Sequence, residues 1–162
     1  MCIRDRDGPD AFTSDHGWDV KANSERLVPV IRELKDLGCR VSLFMDPDTE
    51  QIKRVSDIGA DRIELYTEPY AIAFDAGAEQ LQPALSVFTE AAELAQKIGL
   101  GVNAGHDLNL DNLAMGCGTV PKVLEVSIGH ALIADALDLG LKAAVGRYLE
   151  ELNKAQTILV RD

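Results

Sequence analysis

The 162-residue chain carries 27 Asp and Glu against 16 Lys and Arg, a formal charge of −11, and 46% of its residues are hydrophobic. An acidic surface repels nucleic acid and anionic membranes, so neither is expected as a partner. No apolar run reaches the roughly 20 residues that a membrane helix needs, and the opening Met1-Cys2-Ile3-Arg4-Asp5-Arg6 lacks the apolar centre of a signal peptide, which points to the cytoplasm. Three cysteines, odd in number and without a Cys-x-x-Cys pair, suggest reduced thiols and neither a disulfide framework nor a zinc site.

Four times along the chain an amphipathic stretch stops at a glycine and a short apolar run follows, the rhythm of parallel βα units. The spacing of Leu27, Val30, Ile31 and Leu34 predicts a helix over residues 22–37 that ends at Gly38, followed by a strand at 40–45. Asp46 to Glu50 supplies capping oxygens for a short helix at 51–58, ended by Gly59, and a second strand is expected at 62–66. A long helix at 78–98, with Leu81, Leu85, Phe88, Ala92 and Ala95 on one side, leads through Gly99 into a third strand at 100–103. A weaker helix near 110–115 and a loop through Gly116, Gly118 and Pro121 precede a fourth strand at 123–127, and helices at 131–137 and 141–152 close the chain.

Short, largely apolar strands joined by helices are expected to lie covered on both faces of a parallel sheet. The fold class is therefore α/β, and four strands with their helices make about half of a (β/α)8 barrel, which typically needs about 250 residues. No composition shift marks a second domain. Residues 7–162 read as one partial barrel domain and residues 1–6 as an extraneous opening segment.

In βα proteins the working residues stand where strands end, because those ends share one rim. Of three histidines, His106 and His130 each follow a strand, and Glu64 lies within one; the three are expected to open toward the same rim. Histidine gives and takes protons near neutrality, and Asn103-Ala104-Gly105 before His106 leaves room for a ligand, although a packing or capping role for His106 stays open. Gly129-His130 begins a helix whose free N–H groups favour an anion such as phosphate, against the alternative of an ordinary glycine turn. Glu64 is either a functional carboxylate inside the barrel or an outward residue paired at the surface. Glu68, Asp107 and Asp111 read as loop and cap residues. No His-x-His or His-Glu-x-x-His spacing supports a metal site.

The segments Phe12-Thr13-Ser14-Asp15-His16-Gly17-Trp18-Asp19, Val41-Ser42-Leu43-Phe44-Met45-Asp46, Ile63-Glu64-Leu65-Tyr66-Thr67, Val102-Asn103-Ala104-Gly105-His106 and Ser127-Ile128-Gly129-His130-Ala131 occur in this order. Together they closely resemble the pyridoxine 5'-phosphate synthase family, from about Asp7 to Leu152. The resemblance implies condensation of 3-amino-2-oxopropyl phosphate with 1-deoxy-D-xylulose 5-phosphate, small phosphate substrates, no metal or organic cofactor, and a homo-oligomer. It implies that His106 is the general acid and that Glu64 stabilises transition-state charge. Asp107, Gly129 and His130 would hold the amino-ketone phosphate, and Thr13 would contact the pentulose phosphate.

Two departures accompany the resemblance. Asp107 stands where the family has glycine, so its backbone N–H and not its carboxylate would have to face the phosphate. The family's N-terminal strands also bring an Asn, an Asp-His pair, phosphate-binding arginines, a histidine base and a glutamate base, none with a counterpart here. The expectation is a C-terminal part of the synthase, inactive alone. The rival readings are a noncatalytic half-barrel assembly module and another phosphate-binding barrel enzyme; the absence of a lysine at any predicted strand end disfavours a Schiff-base aldolase.

Overall fold

The computed structural model describes residues 2–4 and 14–159. In chain order the elements are β1 (Cys2–Arg4), α1 (Val20–Asp36), β2 (Val41–Met45), α2 (Thr49–Val55), β3 (Arg62–Tyr66), α3 (Glu68–Ala76), α4 (Ala78–Lys97), β4 (Gly101–Gly105), α5 (Leu113–Thr119), β5 (Val123–Ser127), α6 (His130–Leu139) and α7 (Leu141–Leu159). The strands lie in the order β1-β2-β3-β4-β5, each beside its sequence neighbour, in a sheet that is open at both ends. β1 and β2 run parallel, as do β2 and β3. β4 follows the same direction as β3: Gly101 N–H donates to Asp61 O at 3.0 Å where both begin, and Thr67 N–H donates to Gly105 O at 2.9 Å where both end. Parallel strands with helical crossovers make this an α/β fold, part of a barrel of the TIM type.

The chain forms two compact units, one of residues 1–66 and 90–103, the other of residues 67–89 and 104–162. In the first, Asp19 caps α1 by accepting from Ala22 N–H at 3.0 Å, and Leu27 and Ile31 bury the apolar face predicted for that helix. Gly38, in the left-handed region at φ +78°, ends the turn after α1 and lets the chain enter β2. Every residue of β2 is buried. Asp61 fastens the start of this strand: its carboxylate accepts from Val41 N–H at 2.9 Å and from Lys35 Nζ at 2.7 Å. Gly17 sits so close to the end of β2 that a Cβ would stand 2.2 Å from Asp46 N, and its N–H donates to Asp46 Oδ1 at 3.0 Å. Only glycine fits there.

In the second unit Tyr70 of α3 is the largest fully buried side chain, its ring 6.2 Å from Phe74 and 6.3 Å from Phe88. Leu81, Leu85 and Phe88 of α4 are buried in this unit, whereas Ala92 and Ala95 of the same helix are buried in the first. Each large apolar side chain removed from water contributes about 1.5–3 kcal/mol. Tyr148 of α7 donates to Asp135 of α6 at 2.7 Å and ties the two last helices together.

Two elements stand beyond those expected, and two expectations are corrected. β1 adds a short strand at Cys2–Arg4 along the edge of β2. α3 is a further helix, with Pro69 in its first turn, where its missing N–H costs nothing. Gly116 and Gly118 lie inside α5 and not in a loop, and both must be glycine there, for a Cβ on Gly116 would stand 2.9 Å from Tyr70 Cε1 and one on Gly118 2.8 Å from Ile158 Cβ. The helix is glycine-rich because it packs closely. Finally, β5 is half-exposed and not covered on both faces, as befits the last strand of an open sheet.

Candidate functional site

Glu64 and its neighbours belong to the first unit. Register partners in parallel strands point to the same face of the sheet, and Ser42 opposes Arg62 while Phe44 opposes Glu64. One face of β2 and β3 therefore carries Ser42, Phe44, Arg62, Glu64 and Tyr66, with the Phe44 and Tyr66 rings 5.3 Å apart. Arg62 Nη1 donates to Asn103 Oδ1 at 2.9 Å, which adds fully buried Asn103 of β4 to this face. The opposite face, with Leu43, Met45, Ile63 and Leu65, is uniformly apolar. Glu64 is 4% exposed, so it is no surface carboxylate, and it lies among polar groups. The Ser42 hydroxyl is buried without a hydrogen-bond partner among the described residues.

The remaining candidates stand in the second unit. His106 and Asp107 follow β4 directly, His106 half-buried and Asp107 exposed. Both have left-handed backbone, at φ +83° and +55°, which L-residues adopt at a cost. Two side chains hold this turn. The Thr67 hydroxyl, 4% exposed, reaches the carbonyls of both Gly105, at 2.7 Å, and His106. Asn112, 1% exposed, donates from Nδ2 to Asp107 O at 3.0 Å and accepts Asn109 N–H at 2.9 Å. Asn109 Oδ1 in turn accepts from the N–H groups of Asp111 and Asn112, and Tyr70 donates to Asn112 O at 2.6 Å. Burial, with Cys117 nearby, pushes the Tyr70 phenol well above its ordinary pKa, so it remains a donor. Burial also pushes the Cys117 thiol up to about 11.

Gly129 caps α6 without any side-chain hydrogen bond to the first turn, and His130 opens the helix; both are exposed. A Cβ on Gly129 would meet nothing within 4 Å, so the chain's own packing does not call for glycine there. The first-turn N–H groups of α6, a helix of ten residues, form a positive end with no lysine or arginine between Leu124 and Leu141 to supplement it. His106 and His130 thus both follow the carboxyl end of a strand, and β4 and β5 are neighbours in the sheet. Thr13 lies outside the described residues. Among the described residues no three His, Cys, Asp or Glu side chains gather as metal ligands would. No described helix is long and apolar enough to cross a membrane.

Sequence reasoning missed Thr67, Tyr70 and Asn112. The Asn109-x-x-Asn112 spacing, which suits side-chain oxygens bonding to backbone N–H groups two or three residues away, was the one signal available for the loop.

Comparison with known proteins adds to this geometry. A family profile described as "Pyridoxal phosphate biosynthesis protein PdxJ" matches residues 6–154. A pyridoxine 5'-phosphate synthase of Albidiferax ferrireducens is 55% identical over 143 residues, 88% of this chain and 56% of the relative. One from Xanthomonas campestris pv. campestris is 53% identical over 88% of this chain and 55% of its own length. One from Porphyromonas gingivalis is 46% identical over 90% and 60%. The chain spans little more than half the length of the curated relatives it matches. Among solved structures, a chain of the Amycolatopsis orientalis BexX/CysO complex superimposes with a TM-score of 0.53 at 18% identity, covering 83% of this chain and 51% of that one. That likeness concerns the fold alone.

Proposed function

The chain belongs to the PdxJ family of pyridoxal phosphate biosynthesis proteins, and from that premise we propose that it forms the acid and phosphate-holding part of a pyridoxine 5'-phosphate synthase. The reaction is the condensation of 3-amino-2-oxopropyl phosphate with 1-deoxy-D-xylulose 5-phosphate, with release of phosphate and water. The observation that carries the reading is the pairing of a histidine after β4 with an uncapped helix start after β5, in a chain 46–55% identical to proteins of that name.

In this reading the His106 imidazole gives a proton to a departing oxygen. The N–H groups at the start of α6, with Gly129 leaving them open, take the phosphate of the amino-ketone. Asp107 contributes its N–H and turns its exposed carboxylate to solvent, and His130 adds a ring nitrogen. Glu64, buried on the polar face of the sheet, offsets positive charge that develops in the transition state, and Thr13 meets the pentulose phosphate. The proton acceptors that the family carries on a histidine and a further glutamate have no counterpart in these 162 residues. In this reading the chain works in the cytoplasm and as a homo-oligomer.

The test is phosphate affinity. In a synthase assembled from this chain and the N-terminal strands of a relative, Gly129→Val should weaken binding of 3-amino-2-oxopropyl phosphate by about 1–3 kcal/mol, the scale of one or two lost charge-assisted hydrogen bonds. His130→Ala should cost less, because backbone amides dominate. Unchanged affinity in Gly129→Val on calorimetric titration would place the phosphate elsewhere.

One observation favours a second reading, a noncatalytic half-barrel that works by assembly. In the second unit Leu124, Ile133, Leu137 and Leu141 are 56–83% exposed, large apolar side chains left in water. Size-exclusion chromatography and turnover with and without the N-terminal strands separate the two, since only the enzyme gains activity on complementation.

A further inference from the structure

We infer that Thr67 and Asn112 are positioning residues whose shared task is to lock the left-handed pair His106-Asp107 and thereby aim the His106 imidazole. The inference deepens the reading above, in which His106 is the acid. Consecutive left-handed residues other than glycine do not persist by themselves: the Cβ crowds the backbone, less severely for Asp, and such a residue survives only where the surroundings over-determine it. Here the surroundings do so from both sides of the turn.

On one side the single Thr67 hydroxyl proton is shared between the carbonyls of Gly105 and His106, while the Thr67 N–H also donates to Gly105 O at 2.9 Å. The carbonyls on either side of the His106 Cα are thus held by one buried side chain. On the other side the Asn112 amide fixes Asp107 O at 3.0 Å, and Asn112 is itself held by the Asn109 N–H and by the Tyr70 hydroxyl on its carbonyl. Rotation of the His106 backbone out of the left-handed region would swing its carbonyl away from Thr67 and break the Asn112 bond one residue later. Because Cα–Cβ direction follows φ and ψ, the same rotation would carry the imidazole to a different place. A hydroxyl at residue 67 and a carboxamide at residue 112 are both needed; hydrophobic residues of the same shape would fill the space and leave the turn unfastened.

The experiment reads the imidazole itself and does not depend on synthase turnover. The three histidines of the chain, assigned by His→Gln substitutions, are followed by ring NMR signals across pH in the wild type and in Thr67→Val, Thr67→Ser and Asn112→Asp. Asn112→Asp keeps an oxygen for Asn109 N–H and removes the donor to Asp107 O, but it also adds a negative charge that alone moves a nearby imidazole's midpoint, so in this variant only splitting of the His106 signals counts. In Thr67→Val the His106 signals should shift or split and its midpoint should move by about 0.3 pH unit or more, a twofold change in proton affinity. His130, at the start of α6 in the same unit, should not change, and Thr67→Ser should restore the wild-type His106 signals. His106 signals that superimpose on the wild type in Thr67→Val, or that move together with those of His130, would overturn the inference. If Thr67→Val unfolds, Asn112→Asp decides: split His106 signals support the inference and a single unsplit set overturns it, and unfolding of both would assign the pair a purely structural role and overturn it as well. Loss of phosphate binding in Gly129→Val, or its absence, bears on the functional reading and leaves this result untouched.

Discussion

The same substitution, glycine to alanine inside a helix, should have opposite signs at residues 116 and 146. At Gly116 of α5 the new methyl would stand 2.9 Å from Tyr70 Cε1, 3.0 Å from Cζ and 3.2 Å from the hydroxyl oxygen. Ordinary carbon contacts begin near 3.5 Å, so the ring must retreat by about half an ångström. It has little freedom to do so: its hydroxyl donates to Asn112 O at 2.6 Å and its ring lies against Phe74 and Phe88. Overpacking of this kind costs about 1–3 kcal/mol, and a strained Tyr70 hydrogen bond adds about 0.5–1.5 kcal/mol. The helical preference of alanine over glycine returns only about 0.5–1 kcal/mol. The steric cost wins, and Gly116→Ala should destabilise by about 1–3 kcal/mol. At Gly146 of α7 a Cβ meets nothing within 4 Å, so only the helical gain remains and Gly146→Ala should stabilise by about 0.5–1 kcal/mol. Urea titration of the chain reads both. With a slope of about 2 kcal/mol/M the midpoint should fall by roughly 0.5–1.5 M for Gly116→Ala and rise by about 0.3–0.5 M for Gly146→Ala. Equal stabilisation by the two would show that Tyr70 is not pinned, and would weaken the chain of contacts from α5 through Asn112 to the His106 turn.

Two further outcomes follow from single residues. Asp107→Gly should stabilise the chain by about 0.5–1 kcal/mol, because glycine occupies φ +55° without the Cβ cost, and a loss of stability in urea would mean that the aspartate side chain has a role of its own. Burial raises the Asp61 pKa, but the hydrogen bonds from Lys35 and Val41 N–H, with the charges of Lys35 and Arg40, outweigh it and hold the carboxylate below its ordinary value near 3.8. A depressed folded pKa gives stability that is present above the unfolded value and lost as pH falls through the folded one. The stability gap between wild type and Asp61→Asn should accordingly be constant at neutral pH and close below about pH 4; a gap that persists in acid would refute the carboxylate's role.

What the sequence determined by itself was whatever depends on local order. Apolar spacing at Leu27 and Ile31, and glycine stops at Gly38, Gly59 and Gly99, located helices and strands because periodicity and left-handed stops are properties of a few consecutive residues. The placement of His106 and Gly129 just beyond strands was equally legible, since strand ends follow from the same rhythm. Tertiary structure alone decided the rest. That residues 116 and 118 must be glycine depends on Tyr70 and Ile158, some 40 residues away on either side. That Glu64 is buried depends on the register of β3 against β2. That His106 adopts a left-handed turn depends on Thr67, 39 residues earlier, and on Asn112. Close packing and buried hydrogen bonds are made between segments distant in the chain, and their energies belong to pairs of residues that no local pattern brings together.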